Sequence, residues 1–453
     1  MRGSAFAAGM CLLLAARVSA QTPQPPTLVR PDSSAGPPLT LTLQDALDRA
    51  KQNDAQFQSV AADADLATED RVQAKAGLFP AFSATTQYLG NQANGVNPNG
   101  RFVSLDGVNM YRAWAVMRQD LSPSTFAATP LHKARAVEAA ARAKLDVAER
   151  GLAVTVTRNY YALVTAQRRY ATAQQAAQQA ARFLEFARQQ ERLGQVARSD
   201  VIKAEIQSRQ QDQNFADATL AMDNARLTLA VLLFPAFNEN FTVVDDLQAG
   251  PALPPFEDVR ALAERDNPDL RAANATLSAA GEDVRQAKFA FYPTLVVDAV
   301  YGIEANEFAL HSAIAAQPEL GILPNLGYFV TVNLSVPVWD WGGLRSKLHQ
   351  GAIRQRQAQV ALTQAQRQLV SNLYTMYNEA LTSRAAVDSL QRVADLATES
   401  LRLTALRYQA GESTALEVVD AQNTLVQSRN AADEAAARYR VAIAQLQTLT
   451  GRF

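Results

Sequence analysis

The sequence predicts a mainly α-helical chain with four short strands, organised as two structural repeats. Proline-free stretches far longer than an ordinary helix indicate the helices, and runs of alternating apolar and polar residues indicate the strands. The repeat is visible directly, because residues 73–88, QAKAGLFPAFSATTQY, return at 286–301 as QAKFAFYPTLVVDAVY. We therefore expect one unit of helices and two strands to occur twice.

Residues 1–20 have the pattern of a secretory signal peptide. Arg2 precedes an apolar run from Ala5 to Ala16, and Val18-Ser19-Ala20 forms a small-x-small cleavage site. The run is too short for a membrane helix and a proline-rich tract follows it, which disfavours an anchored or buried helix. We expect an exported chain that begins near Gln21.

The composition argues against several classes of function. Cys11 is the only cysteine and lies inside the predicted signal peptide, after Met10, so we expect neither a disulfide nor an acylated N-terminus. Removing Arg2 and Arg17 from the 43 basic residues leaves 41, against 44 acidic residues, with no basic patch. We therefore expect no nucleic-acid partner.

The mature chain is predicted to begin with a linker and to contain two units joined by a connecting segment. Residues 21–38 are rich in proline and serine, and the first unit covers 39–234. In this unit Thr42 is a candidate N-cap, with Asp45 three residues later and a helix break near Asn53. Proline-rich residues 235–258 are expected to connect it to the second unit, 259–453.

Two strands are predicted in each unit, next to prolines. Pro80 and Pro293 end the preceding helices, because proline lacks an N–H and biases the residue before it towards extended geometry. Pro337 ends the last strand. Each strand is close to the ~9 to 11 residues of a tilted transmembrane strand. The predicted strands are about 80–90, 110–121, 293–303 and 328–338.

The strands alternate between an apolar and a polar side, although the face of the second strand is ambiguous. Six polar positions are predicted to point inward: Ser83, Thr85, Gln87, Asp298, Thr331 and Asn333. Aromatic residues near strand ends predict an interfacial girdle: Tyr88, Trp114, Tyr301, Tyr328, Trp339 and Trp341. The alternative is a soluble sheet, but long flanking helices leave no second sheet to pack on it.

Very long helices follow the strands. From Pro130 to Leu193 a single helix would extend ~95 Å, which exceeds the size of one globular core. Thr129 is its candidate N-cap, with Pro130 as the first helical residue. The helices are predicted to turn at Gly194 and Gly411.

Four strands cannot close a membrane barrel, because the smallest have ~8 strands and open edges are not tolerated in lipid. The chain is therefore expected to form oligomers. Two copies would give eight strands and a filled interior, whereas three would give twelve strands and an aqueous lumen, which the polar inward positions favour.

The motifs, taken in order, resemble the TolC-like outer membrane efflux protein family. The resemblance is carried by LTLQDAL, two QAK-x4-P repeats, the Trp-Asp-x-Gly-Gly turn at 339–343 and Arg407-Tyr408-x-x-Gly411. It implies a homotrimer with a twelve-stranded barrel in outer-membrane lipid of a Gram-negative bacterium and a helical barrel across the periplasm. It also implies a passive exit duct that docks with a periplasmic adaptor and an inner-membrane transporter, in tripartite efflux or type I secretion. A non-conducting exported coiled-coil scaffold, structural or adhesin-like, is the alternative.

The resemblance places the functional residues at the helix tips. Gate or selectivity candidates are Glu417, Asp420, Asp200 and Tyr408, and adaptor-docking candidates are Gly194, Ser199, Gly411 and Ser413. The alternative for the acids is helix capping: Thr414 and Glu417 match a capping box, and Ser199 or Asp200 would cap the equivalent helix. Ser413 lies where relatives often have a basic residue, which argues against a salt-bridge lock there.

No sequence feature indicates an enzyme. His132, His311 and His349 lie far apart without metal-ligand spacing, and the chain has no glycine-rich phosphate loop. We expect no catalytic residue, cofactor or metal, and infer that the energy for transport comes from a partner.

Overall fold

The structure, a computed structural model, describes residues 38–90, 109–235, 240–248, 250–305, 308–310 and 325–450. The predicted signal peptide, the predicted linker up to Pro37 and His311 lie outside these residues. No helix in the described part of the chain has the length and apolar character needed to cross a bilayer.

Both halves of the chain contain short helices, one three-residue strand, two longer strands, a very long helix and a helix of about half that length. The first half comprises β1 (Leu39–Leu41), α1 (Leu43–Asn53), α2 (Ala55–Ala76), β2 (Ala81–Gly90), β3 (Asn109–Asp120), α3 (Pro123–Phe126), α4 (Thr129–Arg192) and α5 (Arg198–Leu233). The second half comprises β4 (Phe241–Val243), α6 (Phe256–Asp266), α7 (Pro268–Phe289), β5 (Thr294–Ala305), β6 (Leu326–Ser335), α8 (Gly343–Gln409) and α9 (Ala415–Thr450).

Prolines lie where helices meet strands. Pro80 directly precedes β2 and Pro293 directly precedes β5, while Pro337 follows the end of β6 by two residues. Since proline cannot donate a backbone hydrogen bond, it interrupts both a helix and a strand ladder. Each proline therefore fixes a point at which the regular backbone pattern changes.

The four long strands form one antiparallel sheet in the order β2-β3-β5-β6. Directly opposed residues lie on the same face of a sheet, so the register assigns each side chain to a face. Thr85 opposes Trp114, Arg118 opposes Asp298, and Asp298 opposes Thr331. By this register the six polar residues that were predicted to point inward share one face, which we call the polar face.

The opposite side of the sheet, the apolar face, is rich in aliphatic and aromatic residues. It includes Phe82 and Val332, which are 78% and 61% exposed in the single chain. The register also resolves the ambiguity of β3, because Ala115 and Met117 oppose Ala84 and Phe82 and thus belong to the apolar face. The sheet therefore presents two faces of different composition, with one mainly apolar row, Val116, Val300 and Phe329, within the polar face.

Trp114 does not belong to an aromatic girdle near the strand ends, so that prediction is wrong for this residue. It lies in the middle of β3 on the polar face, opposite Gly302. Its ring contacts Phe329 edge-on at 6.0 Å between centroids, and the Arg112 guanidinium lies 5.1 Å from the ring. Arg112 also pairs with Glu304 at 2.8 Å. The indole therefore packs among the side chains of the polar face.

The two longest helices run away from the sheet. With 64 and 67 residues, α4 and α8 extend ~96 to ~100 Å. After tight turns, α5 and α9 return along the distal halves of these helices, whereas α2 and α7 pack against α4 nearer the sheet. Buried positions of α4 are often alanine, including Ala173, Ala180 and Ala187. Small side chains allow the helices to approach closely along their length.

The half-length helices end at a common level, which we call the equator. Here β1 and β4 pair in parallel, and the Tyr160 hydroxyl donates a 2.7 Å hydrogen bond to the Val244 carbonyl. Burial, with a smaller effect of the Asp246 carboxylate, raises the pKa of Tyr160 to about 12. At the end of α5, the Asn53 amide donates a 2.8 Å hydrogen bond to the Leu233 carbonyl. This bond satisfies a helix-end carbonyl that has no partner within its own helix.

Ion pairs link the two repeats at the equator. Arg168 of α4 contacts both carboxylate oxygens of Asp245 at 2.6 and 2.8 Å, and also contacts Asp433 of α9 at 2.7 Å. Arg440 of α9 contacts Asp246 at 3.1 Å. Because Arg168 is bound by acids on two elements, it fixes the connecting segment between α4 and α9.

The structure tests two of the predicted helix starts. The capping box at Thr42 and Asp45 is present, with both reciprocal hydrogen bonds formed. For α4 the predicted N-cap is displaced by one residue: Ala128 is the N-cap, in a left-handed conformation with φ 48°, and Thr129 is already helical. Thr129 is fully buried, so its side chain packs in the interior instead of capping the helix.

Gly302 should be essential for pairing between β3 and β5. A Cβ at this position would lie 2.1 Å from the Ala113 carbonyl oxygen. By contrast, a Cβ on Gly327, the residue of β6 that is paired with Gly302, would meet nothing within 4 Å. We expect Gly302→Ala to lower the free energy of unfolding by about 2 kcal/mol. Gly327→Ala, the matched control, should change it by less than about 0.5 kcal/mol. Denaturant unfolding followed by circular dichroism checks this, and equal stability of the two variants would contradict the register.

Candidate functional site at the helix tips

Two tight turns reverse the chain at the end far from the sheet. Gly194 has φ 69° and Gly411 has φ 81°. In each turn the glycine N–H and the next N–H bond back to carbonyls of the last helical turn, at 2.9 to 3.0 Å. This is a Schellman arrangement, which favours glycine because a left-handed residue must follow the helix. The two turns give α4/α5 and α8/α9 equivalent, compact tips.

Helix α9 begins with the predicted capping box. The Glu417 N–H donates to the Thr414 hydroxyl oxygen at 3.3 Å, and the Thr414 N–H donates to the Glu417 carboxylate at 3.2 Å. Arg407 lies 4.0 Å from the same carboxylate, in the last turn of α8. Glu417 is therefore engaged within its own chain as a cap and as a weak ion-pair partner.

Helix α5 begins without a side-chain cap, so the predicted capping by Ser199 or Asp200 is wrong. Ala197 is the N-cap residue, and both predicted residues lie inside the first helical turn instead of before it. The Asp200 carboxylate accepts a 3.5 Å contact from Lys203, and Ser199 is exposed. An acid in the first turn still complements the helix dipole without serving as the cap.

Tyr408 connects the two tips by ring packing. Its ring centroid lies 5.2 Å from that of Phe183 and 6.1 Å from that of Phe186, both on α4. Its hydroxyl oxygen is buried and has no hydrogen-bond partner among the described residues. Burial raises the pKa of Tyr408, and the charge of Asp200 raises it further. The contact between the hairpins at this point is thus aromatic, without a hydrogen bond to the nearby acid.

The remaining candidates lie around the second tip. Asp420 is exposed on the first turns of α9, three residues after Glu417 and on the same side of the helix. Its carboxylate forms no hydrogen bond or ion pair with any described residue. Ser413 is half-buried, and its hydroxyl has no partner in the described part of the chain. At this tip, the carboxylates of Asp420 and Glu412 are both without a partner among the described residues, and Asp420 is the one that lies on α9 beside Glu417.

A layer of buried amides above the tips was missed by sequence reasoning. Gln207 and Gln211 on α5 both donate to the Asn423 side-chain oxygen on α9, at 2.9 and 3.1 Å. Both glutamines are less than one-tenth exposed. Buried polar residues between long helices fix register, because a shift leaves their amides without partners. Their four-residue spacing on α5 is the signal that indicates a shared face.

Among the described residues, no group of three or more potential ligand side chains lies together as a metal site. His132 and His349 are both exposed and lie on different helices. The described residues of the tip form a helix cap, an aromatic contact and two free carboxylates, Glu412 and Asp420.

Comparison with known proteins agrees with this architecture. The profile of the family described as "Outer membrane efflux protein" matches residues 46–233 and 259–452. The chain belongs to the outer membrane efflux protein family. The outer membrane protein TolC of Vibrio cholerae is 24% identical over 422 residues, which are 90% of this chain and 90% of that protein.

Solved structures share the fold of this outer membrane efflux protein. The Campylobacter jejuni CmeC outer membrane channel superposes with a TM-score of 0.75 and 15% identity, covering 90% of this chain and 85% of that one. The outer membrane protein VceC of Vibrio cholerae gives 0.73 and 16% identity, covering 90% and 96%. The mostly helical chain with its small sheet therefore has the TolC-like fold that the sequence resemblance implies. Of these proteins, CmeC is described as an outer membrane channel.

The unpaired hydroxyl of Tyr408 leads to a prediction about its side chain. Tyr408→Phe keeps the ring and removes a buried donor without a partner, so the stability of the tip should be unchanged or higher by up to ~1 kcal/mol. Tyr408→Ala removes the ring from Phe183 and should cost about 2 kcal/mol. Hydrogen–deuterium exchange of residues 403–420 measures both effects. Faster exchange in Tyr408→Phe than in the wild type would reveal a hydrogen bond that the structure lacks.

Proposed function

We propose that this protein is a passive, trimeric exit duct in the outer membrane of a Gram-negative bacterium. It would serve a tripartite efflux or type I secretion system, receiving cargo through a periplasmic adaptor from an inner-membrane transporter. The single observation that carries the proposal is the sheet, which has one polar face, one apolar face and outer edges that no other strand of the described chain covers.

The two faces are suited to lipid on one side and water on the other. A strand of 10 to 12 residues is ~33 to ~40 Å long, and a tilt of ~45° reduces its height to about the ~25 Å of an outer-membrane apolar band. The exposed side chains of Phe82 and Val332 would contact acyl chains. Charges on the polar face are paired within the sheet, as in Arg118 with Asp298 at 3.7 Å, and suit a water-filled lumen.

The sheet edges support a closed ring of three chains. In lipid, unpaired N–H and C=O groups along β2 and β6 would each cost several kcal/mol. If β6 of one chain pairs with β2 of the next, the contact is head-to-tail and closes as a ring. Three chains supply twelve strands, which leaves room for an aqueous lumen.

The helices support a duct that extends from the membrane. α4 and α8 project ~100 Å from the sheet, a length suited to crossing much of the periplasm. Three copies of the α4/α5 and α8/α9 hairpins around the same axis would continue the duct. The tips at Gly194, Ser199, Gly411 and Ser413 would then be the parts available to an adaptor, and they expose apolar Leu193 and Leu416.

The acids at the tip support a cation preference. A threefold axis would repeat Glu417 and Asp420 as rings of negative charge, with Asp200 and Tyr408 close to the same turn. Glu417 is partly neutralised by capping and by Arg407, whereas Asp420 is free within the described chain. Asp420 would therefore contribute more of the negative potential.

Disulfide crosslinking between edge strands tests the trimer. β2 and β6 are separated by two strands, ~14 Å in total, so a disulfide between them within one chain is excluded. We expect Thr85→Cys, combined in turn with Phe329→Cys, Thr331→Cys or Asn333→Cys, to give covalent trimers after oxidation for at least one pair. Ser83→Cys with Val116→Cys, which are opposed within one chain, is the control and should give monomers only. Covalent dimers or an open ladder would contradict a ring of three.

Single-channel recording in planar bilayers tests both conduction and cation preference. We expect cation-selective steps, with block by divalent cations reduced in Asp420→Asn and further reduced in Glu417→Gln with Asp420→Asn. Glu417→Gln keeps the oxygen that caps α9 while removing the charge. Glu379→Gln, an exposed acid in the middle of α8, is the control and should leave block unchanged. Absence of conductance in all variants would contradict a duct, whereas unchanged block would contradict only the role of the acids.

A further inference from the structure

Each of the four places where a helix meets the sheet exposes a large aromatic side chain. The fractions exposed range from 56% to 89%, so more than half of each side chain is uncovered by the rest of the chain. They occur between α2 and β2, between β3 and α4, between α7 and β5, and between β6 and α8. The residues are Phe79, Phe126, Tyr292, Trp339 and Trp341.

The turn that carries the two tryptophans is held rigidly. Asp340 accepts hydrogen bonds from the backbone N–H groups of Gly342, at 3.0 Å, and Leu344. Trp341 has φ 57°, an unfavourable conformation for a bulky residue. Its ring is 89% exposed, and the two indoles contact each other edge-on at 5.6 Å. The Asp340 hydrogen bonds hold this turn in a conformation that leaves both indoles at the surface, touching each other.

Four exposed basic residues lie within two helical turns of these aromatic residues. None forms an ion pair with another described residue. Two are in the last turns of α2 and α7, where they complement the helix dipole, but the other two are near the N-terminal end of α8, where positive charge is unfavourable. The helix dipoles therefore do not explain all of them. The residues are Lys75, Lys288, Arg345 and Lys347.

We propose that these nine aromatic and basic residues, the junction collar, bind the surface of the outer-membrane leaflet nearest the long helices, through its anionic phospholipids. The proposal rests on the proposed function, which places the sheet in lipid. Indole and phenol rings favour the boundary between acyl chains and headgroups, and Lys and Arg favour the lipid phosphates beside it. The collar lies at the end of the sheet where β2 and β5 begin and β3 and β6 end, next to the strands that would already contact lipid.

The three tryptophans of the chain allow a direct test. Trp114→Phe leaves only the two collar indoles, and Trp339→Phe with Trp341→Phe leaves only Trp114 on the polar face. In vesicles of phosphatidylcholine brominated near the headgroup, the collar indoles should lose most of their emission, and bromine deep in the acyl chains should quench them less. Trp114 should be quenched by aqueous acrylamide and not by either lipid.

The outcomes separate the collar from the duct. Protein that inserts and conducts while its collar indoles are shielded from both lipid and acrylamide would show that they face a subunit or a protein partner, which overturns the proposal. Strong quenching by acrylamide alone would overturn it as well. Failure to insert or conduct would instead count against the proposed function.

Anionic selectivity tests the basic residues separately. Electron spin resonance of spin-labelled lipids reports the lipid that contacts the protein as a motionally restricted signal. For the wild type, phosphatidylglycerol should be enriched over phosphatidylcholine in this signal, and salt should reduce the enrichment. Replacement of Lys75, Lys288, Arg345 and Lys347 by glutamine should reduce it to parity. Arg367→Gln with Arg392→Gln, exposed on α8 farther from the sheet, is the matched control and should retain it. Parity in the wild type would overturn the role of the charges.

Discussion

Side-by-side packing along α4 and α8 is the constraint on which the rest of the structure depends. A helix ~100 Å long has no single core to cover it and would be exposed on every side without lateral neighbours. Each long helix therefore needs partners over its whole length. The chain supplies them as two shorter helices that meet at the equator, and alanines such as Ala180 and Ala187 allow the close approach.

This arrangement gives the buried polar contacts between helices a specific role. Alanine-rich packing holds helices together but gives little resistance to sliding, because small side chains do not interlock deeply. The amides of Gln207, Gln211 and Asn423 fix the position of α9 against α5, and Arg168 fixes the equator. Ion pairs between helices, such as Lys133 with Asp283, add contacts at other levels.

The sequence predicts features that depend on neighbours along the chain and fails for features that depend on how distant elements are placed. The capping boxes at Thr42 and Thr414 were predictable, since each is complete within four residues. The face of β3 was not, because Trp114 lies among polar residues only through its register opposite Gly302. A lone large ring in an alternating strand gives no indication that the neighbouring strand carries a glycine.

The tip shows the same division. Gly194 and Gly411 could be identified as turn residues because glycine readily adopts positive φ. The contact of Tyr408 with Phe183 depends on the relative rotation of α4 and α8, which no local pattern encodes. The absence of a side-chain cap on α5 was likewise hidden, because Ser199 and Asp200 are good capping residues displaced by only two or three positions.

The break between the half-length helices has a mechanical consequence. Only α4 and α8 are covalently continuous from tip to sheet, whereas α5 ends at Leu233 beside Asn53 and α9 ends at the equator. A bending or twisting movement of α5 or α9 reaches the sheet through side-chain contacts, which can rearrange, and not through an unbroken backbone. Movement at the tips is therefore transmitted to the sheet by continuous backbone through α4 and α8 alone, while the equator is a joint for α5 and α9.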